Sequence, residues 1–201
     1  MKSVVTAEDV RLAPEGGVVR ASAGAVVTEW AREIAVTRGV RIVLGDQDPG
    51  DPNDVVALGA DHGGFDLKEE LKAVLTRLGR RFRDLGTFSK EPVDYPDIAS
   101  AVAEAVRRGE ARLGIVVDGA GIGSAIAANK LAGIRAATCH DVDAARNARE
   151  HNDANVLSLG ARFVEARDLP AIVEVFLGTH CTEERHLRRV RKIERLEGHR
   201  R

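Results

Sequence analysis

Aromatic side chains are scarce in this chain of 201 residues: five Phe, one Tyr and one Trp. Its core must be built from Val, Leu, Ile and Ala, which a hydrophobic content of 44% can supply. Cysteine is nearly absent. Cys139 and Cys181 are too few for a disulfide framework, and reduced thiols in a cytoplasmic protein are the simpler account. No apolar run approaches the ~20 residues of a membrane span. The opening MKSVVTAEDVRL lacks the layout of a secretory signal. No excess of charge exists either: a net charge of -1 argues against bulk attraction to nucleic acid or an anionic membrane. His140, His180 and His199 have no ligand spacing, so no metal is expected.

The stretch that is present and informative is 113–130, LGIVVDGAGIGSAIAANK. It runs from an apolar segment, Leu113 to Val117, through Asp118 and a glycine turn, into small helix formers from Ser124. That order reads as a buried parallel strand, a tight turn and a helix start, with Ser124 as N-cap. Unpaired amides at the positive end of a helix favour an anion. Gly119, Ala120, Gly121, Ile122 and Gly123 are therefore a candidate phosphate or oxyanion loop; a turn without a ligand is the plainer alternative. The dinucleotide spacing GxGxxG is missing, as is the Gly-Lys-Ser/Thr of a P-loop, so neither NAD nor a nucleotide is expected.

Residues 1–44 read as a small N-terminal extension. Thr6 opens one helix; Val18–Arg20 is a short strand; Thr28 caps a helix over 29–38 that Gly39 ends. Trp30, Ala31, Ile34 and Ala35 lie at helical spacing and form its expected apolar face. Residues 45–54, GDQDPGDPND, read as a linker. From Val55, strands at 55–58, 81–84, 113–117, 135–139 and 156–159 alternate with helices at 65–78, 98–108, 140–150 and 169–177. A charged helix over 183–197 carries Leu187, Val190, Ile193 and Leu196 as a docking stripe. Strands joined by helical crossovers give an α/β fold: a Rossmann-like three-layer α/β/α domain on a parallel sheet of about five strands. Ligands sit beyond the carboxyl ends of such strands, where Asp61-His62 and Asp118-Gly119 fall.

Residues 55–197 resemble the ribose-5-phosphate isomerase B family and its galactose-6-phosphate isomerase relatives. The resemblance is carried by Gly59-Ala60-Asp61-His62-Gly63-Gly64-Phe65, Asp94-Tyr95-Pro96, Gly121-Ile122-Gly123 with Ile126 to Lys130, Gly133-Ile134-Arg135-Ala136, His151 to Val156, and Arg185-His186-x-x-Arg189. It implies aldose-ketose isomerisation of a phosphorylated sugar without a cofactor. It also implies a homodimer or dimer of dimers whose sites lie at the subunit interface. By resemblance, His151 assists ring opening and the 119–123 amides hold the enediolate oxygen. Asp61 and His62 hold hydroxyls and phosphate, Arg162, Arg185 and Arg189 bind phosphate, and Asn152 and Lys130 support them. The extension weakly resembles short segments of bacterial microcompartment-associated proteins, which implies a location inside such a shell and a shell or cargo partner.

One departure matters. Many relatives carry a cysteine, acting as the C2 base, followed by Gly-Thr-Gly; here stand Asp118, Gly119, Ala120 and Gly121. Another branch places a glutamate where this chain has Ser124. Asp118 is then the candidate base, a role that suits a carboxylate whose pKa burial has raised. The alternatives are a non-catalytic sugar-phosphate-binding or assembly module, a site completed by another subunit, or an isomerase of a six-carbon phosphate such as galactose 6-phosphate.

Overall fold

The computed structural model describes residues 2–15, 17–44 and 55–197. The chain divides into two compact units, Met1–Asp51 and Pro52–Arg201. The expected linker, 45–54, lies outside the described residues.

The first unit contains β1 (Lys2–Val5), α1 (Ala7–Leu12), β2 (Val18–Val27), α2 (Glu29–Arg38) and β3 (Arg41–Leu44). Its three strands form a parallel sheet in the order β1-β2-β3. Thr6 closes a capping box with Asp9, and Thr28 accepts the Ala31 amide. Gly39 ends α2 in the left-handed conformation. Val5, Val10, Val19, Ala31, Ala35 and Val40 are buried together. Two expectations change. The strand begun at Val18 is ten residues long, and Lys2–Val5 pairs beside it. Trp30 is not on the buried face of α2: it is 60% exposed and carries the Arg11 guanidinium 5.0 Å above its ring, so Ala31, Ala35 and the partly buried Ile34 are what is packed.

The second unit contains β4 (Val55–Ala60), α3 (Phe65–Arg77), β5 (Arg81–Asp84), α4 (Tyr95–Arg107), β6 (Leu113–Asp118), α5 (Ile122–Ala128), β7 (Ala136–Thr138), α6 (Val142–Asn152), β8 (Val156–Gly160), α7 (Leu169–Gly178) and α8 (Glu184–Glu197). It is a Rossmann-like three-layer fold. Its five strands are parallel in the order β5-β4-β6-β8-β7. Alternation along β6 divides the core: Leu113, Ile115 and Val117 pack with α3, α6 and α7, while Val116 packs with α4 and α5. Burial of both faces explains the unbroken apolar runs of β4, β6 and β8. The chain leaves β4 toward β5 on one side and enters β6 on the other, so the order reverses between these neighbours. That switch point puts the mouths of β4 and β6, Asp61 and Asp118, side by side.

Three local expectations are corrected. Ser124 is not the N-cap of α5; Gly121 is, at φ 75°, and Ser124 lies inside the first turn. The α8 stripe is half used, since Val190 is buried whereas Ile193 and Leu196 are exposed. The helix predicted from residue 98 starts at Tyr95, with Pro96 in its first turn. Among the described residues, no helix is long and apolar enough to cross a membrane.

Candidate active site

Two groups of candidate residues emerge, at opposite ends of the strands. The first is built on the carboxyl ends of β4, β6 and β8. Asp118, the last residue of β6, is buried. Its Oδ1 accepts the Ala120 amide at 2.7 Å and the Gly121 amide, and its Oδ2 accepts the Ser124 amide at 2.9 Å. The glycine at 121 supplies the left-handed turn that brings these three N–H groups round one carboxylate. Burial pushes the Asp118 pKa up; the Ser124 hydroxyl and the three amides push it down, and the donors win, so the carboxyl lies below its ordinary value. The hydroxyl acts there by proximity: Ser124 Oγ is buried and makes no hydrogen bond among the described residues. The expectation that burial raises the Asp118 pKa is therefore corrected. So is the picture of a fully open amide loop, because Asp118 itself uses the amides of Ala120 and Gly121. Those of Gly119, Ile122 and Gly123 are not committed to it.

Asp61 follows β4 directly. Its amide donates to Val117 O at 3.1 Å, which ties it to the β6 terminus. Its Oδ1 accepts the Gly64 amide at 2.9 Å, and the residue is buried. Here desolvation dominates: it raises the Asp61 pKa, the Asp118 charge raises it further, and the Gly64 and Gly63 amides and His62 offset only part. His62 is exposed, with Nδ1 3.2 Å from the Val93 carbonyl. Arg162, two residues beyond β8, donates its amide to Gly119 O at 3.1 Å. Tyr95 lies close enough on the loop that a Cβ at Gly123 would sit 2.7 Å from its ring. The segments that follow these strands and the helices beside them carry exposed apolar side chains: Phe88, Tyr95, Ile122, Ile126 and Phe163.

The second group lies at the amino end of β8. His151 and Asn152 are the last residues of α6, which delivers the chain to the start of β8. Their connection is held by Asp153, left-handed at φ 45°, whose carboxylate binds Arg149 at 2.8 Å and Arg135 at 2.9 Å. Asn155 accepts the Arg135 amide and donates to Gly133 O. The His151 ring stacks on His186 of α8 at 4.1 Å and 14°, with Arg185 and Arg189 beside it. Burial, then the charges of His151, Arg185 and Arg189, hold the His186 pKa below its usual value. His186 is a site neighbour that sequence reasoning passed over: it stands between two chosen arginines in Arg185-His186-x-x-Arg189 but carries no separate signal.

A groove of about 620 Å³ lies between β7, α6 and the end of α8; of the candidate residues only Asn152 lines it, with Ile193 and Leu196 on its rim. Cys139 is buried, and desolvation, with Asp141 adding, pushes its thiol up to about 11. Such a thiol is no nucleophile at neutral pH. Among the described residues, no group of three or more His, Cys, Asp or Glu is placed to hold a metal.

Comparison with known proteins bears on the second unit. The family profile described as "Ribose/Galactose Isomerase" matches residues 56–193. Ribose-5-phosphate isomerase B of Escherichia coli K12 is 46% identical over 142 residues, covering 71% of this chain and 95% of that protein. The solved ribose-5-phosphate isomerase B of Clostridium thermocellum superposes with a TM-score of 0.70 at 46% identity, covering 72% of this chain and 97% of that one. The Mycoplasma genitalium ribose-5-phosphate isomerase B, solved with bound ribulose-5-phosphate, gives 0.69 at 36% identity over 73% and 97%.

Proposed function

The chain belongs to the ribose/galactose isomerase family, and from that premise we propose that it interconverts ribose 5-phosphate and ribulose 5-phosphate through an enediolate. One observation carries this reading beyond the family: the switch point between β4 and β6 holds two buried carboxylates beside an amide loop. That is the equipment for moving a proton next to a carbonyl whose oxygen gains charge. The last residue of β6 is an aspartate, Asp118, where many relatives carry a cysteine.

The site is proposed to form between two copies of the chain. Asp61, His62, Asp118, residues 119–124 and Arg162 supply one half; His151, Asn152, Arg185 and Arg189 supply the other. Their separation to opposite ends of the strands supports this, because a single subunit does not close a pocket from both. The exposed apolar Ile122 and Ile126 of α5 and the groove rimmed by Ile193 and Leu196 offer faces for such an isologous dimer. Within it, His151 would act at the ring oxygen. The two arginines of the pair, one helical turn apart, would clamp the phosphate. The first unit is proposed as a docking segment of this cytoplasmic enzyme, addressed to a microcompartment shell or cargo protein; a core of its own and exposed Leu12 and Val36 favour that use.

The test is an isomerisation assay with ribose 5-phosphate and with six-carbon phosphates, followed by subunit mixing. Asp61→Asn and His151→Ala chains, each inactive alone, should recover turnover when refolded together. Failure to recover would rule out the shared site. Turnover of galactose 6-phosphate alone would move the substrate to six carbons.

A further inference from the structure

The mouth of the sheet holds two carboxylates, and the structure loads them differently. Both oxygens of Asp118 are occupied by backbone amides: Ala120 and Gly121 on Oδ1, Ser124 on Oδ2. A carboxylate so bound is a structural anion. Three amides already take up most of its lone-pair sites, and a proton there would weaken bonds that the turn depends on. Asp61 is different. One oxygen, Oδ1, accepts the Gly64 amide, the Gly63 amide adds a weaker pull, and among the described residues no hydrogen bond reaches Oδ2. Asp61 also faces a loop amide that Asp118 does not use. A Cβ placed on Gly63 would lie 3.4 Å from Asp61 Oδ1 and 3.6 Å from the Gly119 N. Carboxylate and amide therefore border one small space, which the glycine at 63 leaves open.

We propose that Asp61, rather than Asp118, carries the proton between C2 and C1, with Asp118 fixing the loop and the Gly119 amide donating to the enediolate oxygen. The inference rests on the isomerase reading above and deepens it. The step balances within the substrate. Asp61 takes the C2 proton; the C2–H electron pair forms the C1–C2 double bond, and the carbonyl pair of C1 moves to O1. The O2 proton then passes to O1 as C2 becomes the carbonyl, and Asp61 returns its proton to C1. Environment separates the two acids in the sense this division requires. Desolvation and the neighbouring Asp118 charge lift Asp61, with His62 opposing, while the amides hold Asp118 down. Two carboxylates driven apart in this way commonly divide the roles of proton carrier and fixed charge.

The experiment compares full-length wild type, Asp61→Asn and Asp118→Asn for kcat, KM and the acid limb of kcat/KM, with the fold checked by circular dichroism. Asparagine at 61 keeps an acceptor for Gly64, and Asp61→Ser is the second variant should it misfold. The expected results are a kcat loss of at least about 100-fold at little change in KM for Asp61→Asn, and a loss within about tenfold for Asp118→Asn. The acid limb should survive in Asp118→Asn and move to lower pH, because the charge that raises Asp61 is gone. A folded Asp61→Asn that keeps wild-type kcat, or a folded Asp118→Asn that binds sugar phosphate and turns none over, overturns the inference and leaves the isomerase reading standing. A wild type with no turnover overturns both.

Discussion

Asp118 is where residue-scale chemistry and family pattern part. Its position, at the end of a buried strand before a glycine turn, is readable from the sequence, and the structure keeps it there. Its load was not legible. Whether a carboxylate at a strand end stands free or is bound by amides depends on the path of the next six residues, and that path turns on Gly121 being left-handed. Sequence reasoning assigned the helix N-terminus to Ser124, and with it an open amide loop. Removing the carboxylate should expose the difference. Asp118→Ala leaves three amides without their acceptor, at an expected cost of about 2–4 kcal/mol and a fall in Tm of roughly 5–15 °C. The pH dependence follows from the depressed pKa. Asp118 binds its proton less readily folded than unfolded, so its stabilisation is complete above the unfolded value of ~3.9 and is lost as pH falls through the folded value. Thermal melts of wild type and Asp118→Ala should therefore converge in strong acid, and a constant gap down to that range would contradict the amide cradle.

At the scale of elements, most of the second unit was readable. Continuous apolar runs, glycine stops and helical spacing place the strands and helices of residues 55–197 to within a few residues, because each element is buried on the face that its sequence marks. The exceptions have physical causes. Trp30 shares the helical spacing of the α2 apolar residues but lies off the buried face and meets a guanidinium rather than a core. Ile193 and Leu196 continue the α8 stripe past the point where α6 can cover it. The motif His151 to Val156 mixes tasks that spacing cannot separate: His151 and Asn152 end the helix, while Asp153 and Asn155 lock its exit to Arg135 and Arg149. The phosphate role of α8 carries its own expected outcome. Arg185→Ala or Arg189→Ala should raise KM about 10–100-fold with kcat little changed, as expected for a charge-assisted bond to a phosphate. A fall in kcat at constant KM would place these arginines nearer to the reacting carbons than to the phosphate.

For the whole molecule, the division at residue 51 separates two hydrophobic cores, one of three parallel strands and two helices, the other the family domain. Residues 52–201 contain every candidate site residue. Deleting residues 1–51 should leave the fold and the turnover of the remainder intact, read by circular dichroism and by assay. Loss of solubility or of activity would mean that the first unit covers part of the second. The helix starts at Thr6 and Thr28 and the strand start at Val18 were readable in this unit, but its parallel three-stranded sheet was not. Val18–Arg20 reads as a short strand, but Ser22 and Gly24 interrupt the run, so its continuation to Val27 beside β1 and β3 was not legible.

The most direct measurement of the central claim is proton NMR of ribose 5-phosphate with the wild-type protein in deuterium oxide. The predicted result is loss of the C2 proton signal together with the appearance of the signals of ribulose 5-phosphate, its C1 carrying the transferred proton or, where Asp61 exchanges with solvent first, deuterium. A sugar phosphate that raises the melting temperature of the protein while its spectrum stays unchanged would contradict it, and would make the chain a binding module on an isomerase fold.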